Sequence, residues 1–345
     1  MRAFVAALAV GLGTSGSALA TGPAGSGPVE LNNDGVEMAA QARYSEAEQY
    51  YRQALERLGP STSDTGHVLD NLAAVYLAKG DTAQAESSAL RAGAMLDESD
   101  RTGNRVLLAT IYVEERRFAE ARTLLEPALS GASGQLAFTL NATLAAAALG
   151  EEKLDDALGF CQRALEIGAV ALGPNHPGMA SVWNNLGQVY RFQGRTLDAE
   201  TSYRKAIEIW TAARGPAHPL VARGLLNLAA FEHDRGRDRA AEELYGRAAG
   251  ILDRTIGTDA LQTLIARNEL GEVLRAEGRY VASEQCSRAT LPAIQKLLPE
   301  SDPRVLRALT NYARLLAATK RQADANALWA HIRLVANTVA SGSFR

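Results

Sequence analysis

A 42-residue period runs through the second half of this 345-residue chain. Leu186-Gly187, Leu228-Ala229 and Leu270-Gly271 stand at that spacing, and Gly173-Pro174-Asn175-His176-Pro177 returns one period later as Gly215-Pro216-Ala217-His218-Pro219. A fixed period of this length marks a small supersecondary unit that cannot bury its apolar face alone, so neighbours must stack on it. The period therefore predicts a linear array of repeats, not one central core.

The repeats read as helical hairpins. Trp183, Leu186, Gly187 and Tyr190 lie on one face of a helix. Gly194 stops that helix, and Gly236 and Gly278 recur at the same turn. Ala199, Tyr203 and Ala206 form the apolar stripe of a second helix. Small residues admit a close neighbour, and the aromatic rings fill the remaining space. Tracing the second-helix alanine gives Ala47, Ala85, Ala121, Ala157, Ala199, Ala241, Ser283 and Ala325, eight repeats over residues 29–340 at spacings of 38, 36 and 42. Pro127 and Pro292 fall inside second helices and are expected to end or kink them.

The chain starts with a charged residue, Arg2, an apolar stretch Ala3–Gly13 and an Ala18-Leu19-Ala20 end. That order is expected of a secretory signal peptide over residues 1–20, cleaved near Ala20, which implies a periplasmic or secreted product. Residues 21–28, rich in Gly, Ser and Pro, read as a flexible linker, and 341–345 as a tail. No later segment has the roughly 20 apolar residues a membrane span needs. Lys and Arg total 36 against 39 Asp and Glu, so no basic field favours nucleic acid.

Trp183-x-x-Leu186-Gly187-x-x-Tyr190 followed by Ala199, Tyr203 and Ala206 resembles the tetratricopeptide repeat. The long period, the G-P-x-H-P loop and Asn184-Asn185-Leu186 resemble its kinesin light chain branch. The resemblance implies an all-α, right-handed α-solenoid of about eight helix-turn-helix repeats, with the added residues in a longer second helix and the loop after it. It also implies a non-catalytic scaffold whose first helices line a concave groove for an extended peptide or a partner helix. The alternative is a non-catalytic subunit or assembly factor of an envelope enzyme complex.

The resemblance implies that Asn71, Asn185, Asn227 and Asn311, each just before the repeat leucine, face the groove. Asn268 stands beside Glu269, which breaks the pattern in one repeat. A side-chain amide can both donate to and accept from a peptide backbone of any sequence. Gln188, Arg191, Arg223, Arg275, Arg307 and Arg314 share the face, the arginines favour an acidic protein or peptide, and Arg223, Arg307 and Arg314 are expected to be exposed. The lysine-rich clamp that some relatives use for a C-terminal carboxylate has no counterpart.

No catalytic or metal-binding motif stands in a suitable context, so neither catalysis nor a cofactor is expected. His176 and His218 recur with the repeat and read as loop structure. Cys161 and Cys286 fall three repeats apart, too far to pair in a stacked array.

Overall fold

The computed structural model describes residues 27–60 and 62–340. The expected signal peptide, the tail and all of the linker but its last two residues lie outside the described residues. The described chain contains sixteen α-helices, one 3-10 segment and no strand, the all-α repeat class expected of a solenoid. Two compact units divide it, Met1–Asn227 and Leu228–Arg345.

In the first unit the helices are α1 (Pro28–Ala40), α2 (Tyr44–Arg57), α3 (Ser63–Lys79), α4 (Thr82–Met95), α5 (Glu98–Glu114), α6 (Phe118–Leu125), α7 (Gly134–Gly150), α8 (Leu154–Ala171), α9 (Pro177–Phe192) and α10 (Thr196–Arg214). Odd-numbered helices are the first of each hairpin and pack on the even-numbered helix that follows. The division between units falls inside α11 (Pro219–Asp234). The second unit continues with α12 (Asp238–Thr255), α13 (Leu261–Ala276), α14 (Tyr280–Leu297), α15 (Pro303–Ala318) and α16 (Gln322–Ala340).

All seven register alanines are fully buried, and Ser283 nearly so. The reason is the close approach of the paired helices. A Cβ built on Gly187 would lie 2.6 Å from the Tyr203 ring, and one on Gly35 would lie 2.5 Å from the Tyr51 ring. Each glycine is thus a socket for the aromatic side chain of its own second helix.

The turn between the two helices is the same in every repeat. Gly80, Gly194, Gly236 and Gly278 have positive φ, as do Ala42, Arg116, Glu152 and Lys320 at the equivalent places in the other four repeats. Each of these residues lies five positions before its register residue. The left-handed conformation is thus demanded by the hairpin, and non-glycine residues adopt it at a cost of roughly 1 kcal/mol.

The extra length of the later repeats lies in the second helix. It has 14 residues in α2 and α4, but 19 in α10 and 18 in α12 and α14. The two prolines behave differently. α6 stops at Leu125 and gives way to a 3-10 segment containing Pro127. α14, by contrast, runs on through Pro292. Pro292 and Arg288 are both exposed, so water can reach the carbonyl that loses its partner.

Candidate functional site

The residue before the repeat leucine does not simply point at an empty face. It donates across to the previous repeat. Asn71 Nδ2 donates to Asn32 Oδ1 at 2.9 Å. Asn227 Nδ2 donates to Asn184 Oδ1 at 2.8 Å, and Asn311 Nδ2 donates to Asn268 Oδ1 at 2.8 Å. Asn268 also donates to Thr290 Oγ1 at 3.4 Å. All these asparagines are buried. Four of the amides expected to meet a peptide are therefore engaged within the protein.

Three of the arginines are engaged as well, which corrects the expectation that they stand free: Arg314 is exposed but paired, and Arg275 and Arg307 are half-buried and paired. Arg307 Nε donates to Glu269 Oε1 at 2.6 Å, and its Nη2 donates to Glu269 Oε2. Arg275 Nε donates to Glu272 Oε2 at 2.8 Å, and Arg314 Nη1 donates to Glu272 Oε1 at 3.0 Å. Glu269 and Glu272 are buried. The Glu269 charge beside Arg307 holds the guanidinium above its ordinary range. The first-helix positions of the second unit thus satisfy one another as ion pairs.

The first unit differs. Ser181, Asn185 and Gln188 lie at spacings of four and three on one face of α9, all more than nine-tenths buried. Ser181 Oγ, Asn185 Nδ2 and both polar atoms of Gln188 have no hydrogen-bond partner. The cause at Asn185 is readable from the repeat. The position that accepts from this asparagine in other repeats is Asn32, Asn184 or Asn268, but one repeat before Asn185 it is Ala142. An orphaned buried polar group costs about 1–3 kcal/mol, so this row is expensive for the fold unless something meets it.

Arg223 stands at the equivalent of Ser181 one repeat later. Its guanidinium carbon lies 6.0 Å from the centroid of the Trp210 ring, and among the described residues no carboxylate forms an ion pair with it. Burial pushes its pKa down, opposed through space by Glu114 and Tyr44. Around it the bare polar atoms are donors: Trp210 Nε1, Arg214 Nε and the Tyr44 hydroxyl. Burial raises the Tyr44 pKa to about 12 against the lowering charges of Arg223 and Arg214. Arg191 is half-buried on α9.

Tyr44, Trp210 and Arg214 escape sequence reasoning. Tyr44 sits where other repeats have Phe118, Leu154 or Tyr280, which reads as core. Trp210 and Arg214 lie in the extended part of α10, where the shorter repeats have no counterpart.

His176 Nδ1 accepts from Gly178 N at 3.1 Å, and His218 Nδ1 accepts from Leu220 N at 3.2 Å. Both histidines therefore cap the start of a first helix, a structural use. Both cysteines are free, and Cys161 is buried with its thiol pKa raised by burial. Among the described residues, no group of three His, Cys, Asp or Glu could hold a metal ion, and no helix is long and apolar enough to cross a membrane.

Residues 135–212 and 178–254 match the tetratricopeptide repeat family profile, so the chain carries these repeats across α7 to α12. No curated protein matches the chain. Among solved structures it is similar to a Rap protein complexed with Competence and Sporulation Factor, at 12% identity and TM-score 0.68, over 91% of this chain and 86% of that one. It is also similar to BtubC (BKLC) from P. vanneervenii, at 21% identity and TM-score 0.50, over 64% of this chain and 90% of that one. A putative kinesin light chain from Podosopora anserina with nearly identical TPR-like repeats aligns at 19% identity and TM-score 0.47, over 58% of this chain and 95% of that one. At these identities the likeness is one of fold.

Proposed function

We propose that the chain is a non-catalytic interaction scaffold that binds an extended peptide segment of a partner protein along its first helices. The observation that carries this reading is the row Ser181, Asn185 and Gln188, in which Ser181 Oγ, Asn185 Nδ2 and both amide atoms of Gln188 are buried with no hydrogen-bond partner among the described residues. A peptide backbone offers alternating N–H and C=O groups, the complement of a row of hydroxyl and amide side chains. The row spans two turns of α9, a length suited to a few extended residues. The repeat type and the fold likeness to a Rap protein complexed with Competence and Sporulation Factor support the same reading.

Photo-crosslinking with a benzophenone-bearing random peptide pool tests it. Crosslinks should map to α7, α9 and α11, and Asn185→Ala with Gln188→Ala should reduce capture. Crosslinks confined to the outer faces of the second helices would overturn the reading.

The signal-like start supports a further proposal, that the chain works outside the cytoplasm. N-terminal sequencing should find exported protein beginning at Thr21. Protein retained in the cytosol and beginning at Met1 would refute it.

A further inference from the structure

The chain contains its own template for what Arg223 lacks. Arg223 and Arg307 occupy the same repeat position two repeats apart. Arg307 is held by both oxygens of Glu269, which belongs to the preceding repeat. The residue equivalent to Glu269 in the repeat before Arg223 is Asn185. The same exchange occurs one turn on, where Glu272 is replaced by Gln188. The α9 face is therefore the amide version of a face that α13 builds from carboxylates. Each amide keeps an oxygen acceptor, but the negative charge that would answer the arginine is gone.

The consequence is a surplus of donors. Asn185 Nδ2, Gln188 Nε2, Trp210 Nε1 and Arg214 Nε are all buried with nothing to donate to, and the Tyr44 hydroxyl is likewise bare. Among the described residues no carboxylate forms an ion pair with Arg223, and Glu114 acts on it only through space. Such a set calls for an acceptor-rich anion, and a planar carboxylate fits a guanidinium bidentately. Resting on the reading that this face binds a peptide, we propose that Arg223 anchors a carboxylate of that peptide, in the place Glu269 takes for Arg307. The ligand then supplies in trans the acid that α9 has exchanged for Asn185. Arg214 reinforces the positive field around it, the Tyr44 hydroxyl offers a further donor, and Gln188 is left to meet the adjoining backbone.

The test uses the full chain and three fluorescein-labelled random octapeptide pools read by fluorescence anisotropy. The first pool carries one Glu per peptide and an amidated C-terminus. The second has Gln in place of that Glu, and the third has the Gln peptides with a free C-terminal acid. The Glu pool should bind about tenfold or more tightly than the amidated Gln pool. Tight binding of the third pool alone would identify the carboxylate as a chain end on the same anchor. Arg223→Gln should erase the preference for acid while leaving the weaker binding of neutral peptides.

Asn185→Glu supplies the missing carboxylate from within, so it should abolish acid preference and raise the melting temperature. Equal binding of all three pools by the wild type, or acid preference surviving in Arg223→Gln, would overturn the anchor and leave the peptide-binding reading standing. A lowered melting temperature for Asn185→Glu would overturn the internal-template argument. Binding of no pool at all would remove the peptide-binding reading and the anchor with it.

Discussion

Asn227 Nδ2 donates to Asn184 Oδ1 across 2.8 Å, joining two residues from successive repeats that are nearly a full period apart. The bond recurs at Asn71 and Asn32 and at Asn311 and Asn268, so it is a feature of the repeat geometry and not of one locality. It pins the register of first helices by a group whose loss would strand a buried amide.

The missing pin at Asn185 can be restored. Ala142 occupies the acceptor position, and Asn32, Asn184 and Asn268 demonstrate that an asparagine fits there in other repeats. Ala142→Asn should leave the melting temperature unchanged or raise it by the worth of one net hydrogen bond, about 1 kcal/mol. It should also weaken peptide capture, because Asn185 is then occupied. A loss of stability of the size expected from overpacking, about 1–3 kcal/mol, would mean the positions are not equivalent.

Arg307 is structural. Arg307→Glu sets a half-buried carboxylate against the buried Glu269, and should cost about 1–3 kcal/mol in chemical denaturation. The double variant Arg307→Glu with Glu269→Arg reverses the pair and should recover most of that loss. A single variant as stable as the wild type would refute the pairing.

His218 gives the fold a pH dependence. Burial, with the charges of Arg214 and Arg223, holds its folded pKa down at about 4. The unfolded value is near 6.5, so between these two pH values the unfolded chain binds a proton that the folded chain refuses. The contribution is fully present above the unfolded value and is lost as pH falls through the window, by an amount on the order of 3 kcal/mol. Asparagine keeps an acceptor at the helix start but does not titrate. His218→Asn should therefore match the wild type at pH 7 and lose less stability between pH 6.5 and 4. Parallel curves for the two proteins would contradict this assignment.

Lys320 is exposed and holds a left-handed backbone conformation at φ 65°. Among the described residues its side chain forms no hydrogen bond or ion pair that offsets that. Lys320→Gly should stabilise the second unit by about 0.5–1 kcal/mol, read as a shift in the denaturant midpoint at constant slope. A destabilised variant would show that the lysine earns its place through an interaction of its side chain.

The sequence reading reached the hairpins because buried small residues recur at a fixed spacing, down to Ser283, which is as buried as the alanines it replaces. It reached Asn185, Gln188 and Arg223 for the same reason, since the repeat fixes which face a residue occupies. It did not reach the state of their polar atoms. Whether Asn227 meets solvent or Asn184 depends on the offset between neighbouring first helices, which a single-helix period does not contain. The signal was present in the adjacent Asn184 and Asn268, one place before the expected groove residues. Glu269 and Glu272 stand close to one repeat before Arg307 and Arg314, a spacing that marks the ion pairs. Tyr44 was out of reach, because an aromatic residue at an apolar position carries no mark of a bare hydroxyl.

The identical turn in all eight repeats bears on how such a chain can change over time. Where glycine is replaced by Ala42, Arg116, Glu152 or Lys320, the backbone still takes the left-handed turn, at a cost small beside the packing of two helices. A repeat can therefore lose its most recognisable letters and keep its shape. The family profile covers residues 135–254, the repeat with Glu152 at its turn among them, while helical hairpins extend from α1 to α16. Drift in such an array erases resemblance sooner than it erases structure.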